Sequence, residues 1–171
     1  MKAARSLKAR ALQMLAQRDQ SRVEMRVKLL RHARRAPVDA DSEPGPGEAG
    51  EPGEPGHSAD PAAEVEALLD WLEAHRHLSA ERFVESRVHA RLSRFGNLRI
   101  HSELARHGLN PSAEIERSLA ATELERAREV RDRRFADLPH DAAERARQAR
   151  FLAGRGFSAE VIHRALRPLW R

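Results

Sequence analysis

The chain has 171 residues, of which 40% are hydrophobic, 33% charged and 4% aromatic, and its formal net charge is +5. Because it contains no cysteine, disulfides, thiolate metal sites and cysteine nucleophiles are excluded. No apolar run approaches the roughly 20 residues that a membrane-spanning helix needs, and no continuous apolar segment follows the basic start. We therefore expect a cytoplasmic protein without a membrane segment or a secretory signal.

The charge is distributed unevenly along the chain. Residues 1–35 hold eleven Lys and Arg against two Asp and Glu, whereas residues 36–62 hold seven acidic residues and no Lys or Arg. A basic arm next to an acidic segment indicates either an anionic partner or mutual screening.

Two helices are predicted at the start of the chain. The first lies between residues 3 and 17, where one apolar stripe is formed by Leu7, Ala11, Met14 and Leu15. Ser21 and Glu24 have the S-x-x-E spacing of a capping box, which begins a second helix that ends near Arg35.

The acidic stretch that follows, residues 36–62, includes SEPGPGEAGEPGEPG. Proline removes hydrogen-bond donors, glycine loses much entropy on ordering, and the acidic side chains repel one another. The composition predicts a disordered insertion, for which an inert spacer is the simplest interpretation.

The sequence GNLRIHSELARHGLNPSAEIERSL, in the middle of the chain, predicts a helix, a tight turn and a second helix. Ile100 and Leu104 stand four residues apart on a buried face, and Gly108 ends that helix in the left-handed conformation. Asn110 and Pro111 are predicted as the cap and first residue of the next helix.

The same pattern recurs near the C-terminus and, in a degenerate form, near the start. In ARQARFLAGRGFSAEVIHRAL, Leu152, Gly156 and Ser158 take the apolar, glycine and capping positions. In SRVEMRVKLLRHA, Ala33 takes the glycine position. Three copies of a helix–turn–helix element predict a helical repeat protein.

The remaining helices complete these repeats. Ser79 is predicted to cap one of them, residues 119–135 to form a long charged helix, and Asp141 with Glu144 to begin the next. About nine helices and no strand predict an all-α fold of three tandem three-helix repeats in an elongated, curved array. The predicted repeats are residues 1–78 (interrupted by the insertion), 79–121 and 122–171.

The sequence offers no arrangement typical of catalysis or metal binding. The nine histidines are scattered, and only His75 and His77 are close, at a spacing that does not put two ligands on one helical face. Phosphate-loop, dinucleotide, nucleophile-elbow and HExxH motifs are absent from the sequence. We expect a non-enzymatic protein without a cofactor or metal.

Basic helical faces are more informative. Lys28, Arg31 and Arg35 lie on one stripe of the second helix, and Arg99 and Arg106 lie on the central unit. The third repeat carries a similar density of arginine, at Arg145, Arg147, Arg150 and Arg155. Guanidinium groups give forked, charge-assisted donors to phosphates or carboxylates.

The aromatic residues are interpreted as core rather than as base-stacking platforms, because most lie on apolar stripes or next to helix caps. Tandem copies with a modest net charge also favour an extended contact surface over a single groove-reading helix. Weak, salt-sensitive phosphate binding is therefore favoured over sequence-specific DNA recognition.

Together these segments resemble the RecX family, the bacterial regulators of the RecA recombinase. The resemblance covers almost everything except the insertion, with Ala33 where the family usually has a glycine. It is carried by ALQMLAQRDQSRVEMRVKLLRHA, LLDWLEAHRHLSAERFVESRV, RIHSELARHGLN and ARQARFLAGRGFSAEVIHRAL.

The resemblance implies a regulator that lies along the RecA–single-stranded-DNA filament, inhibits its ATPase and strand-exchange activities and promotes its disassembly. The filament-facing residues are then expected to be Lys28, Arg31, Arg35, Arg99, Arg106, Arg147 and Arg150. We expect a monomer, with RecA as partner, single-stranded DNA as a second possible partner, and no membrane partner.

Two other functions stay open at this point. A nucleic-acid binder that acts without RecA predicts tight DNA binding with a steep salt dependence. A helical-repeat adaptor for another protein predicts no effect on RecA.

Overall fold

The computed structural model describes residues 6–34 and 60–167, and within these ranges all of the regular secondary structure is α-helical. This confirms the predicted all-α class. The eight helices are α1 (Leu7–Gln17), α2 (Arg22–Ala33), α3 (Pro61–Ala74), α4 (Ala80–Leu92), α5 (Asn97–Ala105), α6 (Ala113–Asp132), α7 (Ala142–Gly154) and α8 (Ala159–Ala165).

The prediction of about nine helices differs from the eight described because two predicted helices are one. The helix predicted after Asn110 and the one predicted over residues 119–135 form the continuous α6. Asn110 is not its cap: the Ser112 hydroxyl accepts the Ile115 N–H at 3.3 Å, and the helix begins at the next residue. Neither Gly nor Pro interrupts the sequence of α6, so nothing ends the helix midway.

The predicted insertion, 36–62, lies mostly outside the described residues, as do residues 3–5 of the first predicted helix. The prediction is wrong for its last three residues, because Asp60 is the N-cap of α3 and residues 61 and 62 are its first two helical residues. The Asp60 carboxylate accepts the Ala62 N–H at 2.9 Å, and Pro61 occupies the first helical position, where its missing donor is not needed.

Both predicted glycine caps are confirmed. Gly108 and Gly156 have φ of 69° and 83°, the left-handed region that glycine enters without a Cβ clash. The next residue in each case, Leu109 or Phe157, donates its N–H back to the carbonyl of Leu104 or Leu152, which is the long bond of a Schellman motif. The predicted caps that begin helices are also confirmed, at Ser21, Ser79, Asp141 and Ser158.

A further copy of the cap lies at the end of α3, where the sequence pattern had not placed one. His77 donates its N–H to the Leu72 carbonyl at 2.9 Å, and Arg76 holds the left-handed position with φ 57°. By contrast, α2 continues through Ala33 to Arg34, which has helical φ and ψ. Among the described residues other than glycine, Arg76 and not Ala33 therefore occupies the left-handed position of a cap.

Replacing Arg76 with Gly is expected to raise the free energy of unfolding by about 1 kcal/mol, because the left-handed conformation is unfavourable for a residue with a Cβ atom. The Arg76 side chain is exposed, and its backbone carbonyl, which accepts from Arg82, is kept in the variant. Urea unfolding followed by circular dichroism measures the change. Ala74→Gly, inside α3, is the control and should lower the free energy of unfolding by a similar amount. Equal losses in both variants would contradict the prediction.

The chain divides into two compact units, unit 1 (Met1–Phe83) and unit 2 (Val84–Arg171). In unit 1, α1, α2 and α3 pack on one another around a core that contains Ala11, Met25, Leu29, Val65, Leu68, Leu69, Leu72 and Leu78. In unit 2, α6 packs on α5, α7 and α8, and a core contains Ala127, Val130, Leu152, Phe157, Val161, Ile162, Ala165 and Leu166. The division into three repeats stays a prediction.

An ion-pair network joins α2 to α3 in unit 1. The Arg22 guanidinium lies 2.9 Å from Glu66, 2.7 Å from Asp70 and 2.7 Å from Glu73, carboxylates at helical spacing on one face of α3. Arg26 also pairs with Glu66, and these two arginines hold the pKa of the Glu66 carboxyl below its ordinary value. The network fixes which face of α2 packs against α3, and Lys28 and Arg31 lie on the opposite face of α2.

Candidate interaction surfaces

The first basic surface is an open groove of about 250 Å³ between α1 and α2. We call it the α2 groove; it is lined by Arg10, Met14, Lys28, Arg31 and His32. It brings together Lys28 and Arg31, two of the residues predicted to face the filament. No carboxylate is among these lining residues, so the groove offers a positive potential to an anionic group.

Lys28 is the anchored residue of the α2 groove. Its ammonium donates to the Gln20 side-chain oxygen at 2.5 Å, and the buried Gln20 amide in turn donates to the Met14 carbonyl at 3.0 Å. Burial lowers the pKa of Lys28, and the nearby Arg18 lowers it further. An anion bound in the groove would offset both effects. Arg31, by contrast, is exposed.

The second basic surface, in unit 2, combines arginine with phenylalanine, and we call it the Arg–Phe cluster. Phe95 is half-buried, and four guanidinium carbons lie within 6 Å of its ring centre. They belong to Arg99 at 4.7 Å, Arg155 at 5.7 Å, Arg94 at 5.8 Å and Arg91 at 5.9 Å. Such cation–π contacts favour positions of the guanidinium groups close to the ring.

The Arg–Phe cluster continues over two further rings. Arg155 also lies 5.1 Å from the centre of the Phe151 ring, and Phe151 meets Phe135 edge to face at 5.4 Å. Arg147 and Arg134 lie 5.3 and 5.7 Å from the Phe135 ring centre. The predicted residues Arg99 and Arg147 are thus linked by one continuous series of ring contacts.

Backbone hydrogen bonds place Arg155 beside Phe95. The turn after α7 approaches the start of α5 so closely that Gly96 donates its N–H to the Arg155 carbonyl at 3.0 Å and Leu98 donates to Gly156 at 3.1 Å. A Cβ atom at Gly96 would overlap the backbone of Gly156 and Phe157. Glycine at both 96 and 156 is therefore what allows the two turns to meet and the cluster to form.

The arginines of the Arg–Phe cluster differ in how their charge is compensated. Arg91 makes two hydrogen bonds to Glu103, at 2.9 and 3.0 Å, and is therefore largely neutralised. Arg147 has Glu144 at 3.8 Å. Within the described part of the chain, four members of the cluster have no carboxylate partner: Arg94, Arg99, Arg134 and Arg155.

The seven predicted residues fall into three groups. Lys28 and Arg31 share the α2 groove, and Arg99 and Arg147 belong to the Arg–Phe cluster. Arg106 and Arg150 are exposed and belong to neither set, and Arg35 lies outside the described residues.

The interpretation of the aromatic residues as core is correct for Phe83 and Phe157, which are buried, and for Phe151, which is half-buried and packs against the core of unit 2. Phe95 and Phe135 are half-buried and belong to neither of the two cores described above. A sequence signal was available. The strings RLSRF and RDRRF, residues 91–95 and 131–135, follow the same R-x-x-R-F pattern at the ends of α4 and α6. In each, the Phe N–H donates to the carbonyl of the first arginine, so the pattern sets arginine beside an aromatic ring at a helix end.

Within the described residues, no group of three His, Asp or Glu side chains is arranged to hold a metal ion. In the same residues, no helix is both long and apolar enough to cross a membrane.

The helical packing and the two arginine-rich surfaces define an all-helical protein with surfaces suited to an anionic partner. The family model described as "RecX, third three-helix domain" matches residues 121–166. Over 163 residues the chain is 44% identical to the "Regulatory protein RecX" of Ralstonia nicotianae, with 94% of this chain and 86% of the relative covered. It is 42% identical over 167 residues to that of Herbaspirillum seropedicae, with 96% and 92% covered. The chain belongs to the RecX family of regulatory proteins.

Membership settles the class of function. The RecX family is one of RecA modulators, so the chain is a regulatory protein, as predicted from its sequence. Its members are non-enzymatic, which confirms that the chain is not an enzyme.

Proposed function

We propose that the protein binds the RecA–single-stranded-DNA filament in the cytoplasm, as a monomer, and lowers its ATPase and strand-exchange activities. The observation that carries the proposal is the similarity to regulatory RecX proteins along 94% of the chain. The two basic surfaces support it, since each presents cations that can bind the phosphates of DNA or the carboxylates of RecA in the filament.

Several weak contacts account for tight binding in this proposal. Lys28 and Arg31 in unit 1, and Arg99 and Arg147 in unit 2, bind at the same time, and Arg35, Arg106 and Arg150 add to them. An exposed ion pair contributes only about 0.2–1 kcal/mol, but linked contacts raise the overall affinity well above that of either unit.

The test of the proposed function is DNA-dependent ATP hydrolysis by RecA from the same organism, titrated with this protein at fixed single-stranded DNA. A fall in the rate at protein well below the RecA concentration supports filament regulation. A fall only at amounts that saturate the DNA favours a nucleic-acid binder that acts without RecA, the alternative supported by the Arg–Phe cluster. No effect with folded protein favours an adaptor for another partner.

The variant Arg31→Glu/Arg99→Glu is expected to raise the concentration needed for half-inhibition of RecA about tenfold, a loss of roughly 1.4 kcal/mol. Arg31 lies in the α2 groove and Arg99 in the Arg–Phe cluster, and both are exposed, so the fold should be retained. Arg117→Glu/Arg145→Glu makes the same change of net charge at exposed arginines outside both surfaces. Equal effects of the two pairs would contradict the assignment of the contact surface.

A further inference from the structure

One part of the Arg–Phe cluster forms a groove of about 240 Å³ that the proposed filament contacts do not use. We call it the Arg94 groove. Four guanidinium-bearing residues line it, namely Arg94, Arg133, Arg134 and Arg155, together with the apolar side chains of Val130 and Phe151. It lies where α4 and α6 end.

The charge of the Arg94 groove is not compensated within its lining, which contains no carboxylate. Cations are favoured at helix C-termini, and all four arginines lie at or just after the end of α4, α6 or α7. Arg133 is engaged there, because it donates to the Ser93 carbonyl at 2.7 Å and to the Glu129 carbonyl at 3.2 Å and lies 3.8 Å from the Glu129 carboxylate. Within the described residues, Arg94, Arg134 and Arg155 contact aromatic rings but donate no side-chain hydrogen bond.

Three arginines with unused donors repel one another, and a bound polyanion would relieve that repulsion while accepting their hydrogen bonds. Phosphate oxygens suit the forked guanidinium donors. The phenylalanine rings favour a nucleic acid over a simple anion, because nucleobases stack on aromatic rings and on guanidinium planes, and bases are accessible for stacking in a single strand. The continuous ring contacts from Arg99 to Arg147 also extend past the groove, so more than one phosphate can be bound.

We infer that the Arg94 groove binds the phosphodiester backbone of a single nucleic-acid strand. The inference rests on the proposed function in that it assigns the DNA contact of the filament to unit 2. It differs from the predicted site, because none of its four arginines was among the seven selected residues.

The experiment measures fluorescence anisotropy of a labelled 20-nucleotide oligothymidylate with the full chain and without RecA, over a range of salt concentrations. The test variant is Arg94→Gln/Arg134→Gln/Arg155→Gln. The control, Arg117→Gln/Arg145→Gln/Arg164→Gln, loses the same charge at exposed arginines outside the groove. Circular dichroism and thermal unfolding establish that each variant is folded.

The test variant is expected to lose at least tenfold in affinity at low salt, and its slope of log affinity against log salt should become shallower by about 2, at roughly 0.7 for each lost phosphate contact. The control should change affinity less than threefold. If the triple variant does not fold, the three single substitutions, two at exposed residues and one at the half-buried Arg155, should each lower the slope by about 0.7.

Equal losses in the test and control variants would overturn the inference, because binding would then depend only on net charge. So would equal competition by a polyglutamate peptide, which would identify the groove as a site for acidic protein segments. Because RecA is absent from this experiment, its outcome is separate from that of the RecA ATPase titration. If the groove does not bind the oligonucleotide, the protein can still inhibit RecA. If the protein does not inhibit RecA, its affinity for the oligonucleotide can still be measured.

Discussion

Replacing Gly96 with Ala is expected to lower the free energy of unfolding of unit 2 by about 3 kcal/mol. Gly96 is buried, and an added methyl group would overlap the backbone of Gly156 and Phe157 rather than the end of a flexible side chain. To remove this overlap, the turn after α7 must move away from α5, and this movement breaks the hydrogen bonds from Gly96 to Arg155 and from Leu98 to Gly156. The φ of Gly96, −80°, is one that alanine adopts readily. The loss of stability therefore reports the close approach of the two turns and not backbone strain at residue 96.

Gly154→Ala is the matched control, because a Cβ atom at this position in α7 meets nothing within 4 Å. It should raise the free energy of unfolding by up to about 1 kcal/mol through helix propensity. Urea unfolding followed by circular dichroism measures both variants. If Gly96→Ala were as stable as Gly154→Ala, the two turns would not be in contact, and the position of Arg155 beside Phe95 would need another cause.

Local features of the fold could be predicted from the sequence because they depend on neighbouring residues. A hydroxyl or carboxylate three residues before a free N–H defines the caps at Ser21, Ser79, Asp141 and Ser158, wherever the helix packs. The glycines at 108 and 156 are likewise required by the backbone conformation of a single residue. The wrong assignment at Asn110 has the same local basis, since Ser112, two residues later, is an equally good cap and is the one used.

The candidate surfaces could be predicted only in part, because they depend on residues distant in sequence. Lys28 and Arg31 are three residues apart, about one turn of a helix, so their position on one face of α2 follows from the sequence spacing alone. Arg155 reaches Phe95 only through the contact of two glycine turns sixty residues apart, which no spacing rule reports. The pairing of arginine with half-buried rings was missed for the same reason.

A buried arginine holds the segment that carries Phe95. Arg126, on α6, is only 8% exposed, and its guanidinium donates to the Phe95 carbonyl at 2.8 Å and to the Asn97 side-chain oxygen at 2.6 Å. It also donates to the Leu119 carbonyl at 3.1 Å and to the Thr122 hydroxyl at 3.2 Å. Burial lowers the pKa of Arg126, which the nearby Glu123 partly offsets.

Replacing Arg126 with Met is therefore expected to lower the free energy of unfolding of unit 2 by about 3–4 kcal/mol. The carbonyls of Phe95 and Leu119 would lose a charged donor, and Glu123, which accepts the Asn97 N–H at 2.9 Å, would stay buried without the arginine charge beside it. Arg126→Lys keeps the positive charge but not the planar set of guanidinium donors, and should lower the free energy of unfolding by an intermediate amount. Arg128→Met removes an arginine of the same helix that pairs with Glu125 at 3.3 Å, and should change stability by no more than about 0.5 kcal/mol.

A double variant tests whether Arg126 and Gly96 hold the same segment. Both fix the turn from Phe95 to Asn97, one through α6 and the other through the turn after α7. Once either is lost, that turn is already displaced, so Gly96→Ala/Arg126→Met should be destabilised by at least 1 kcal/mol less than the sum of the single effects. Strictly additive losses would mean that each residue stabilises unit 2 independently. In that case Arg126 would not position Phe95, and its loss would leave oligonucleotide binding by the folded protein unchanged.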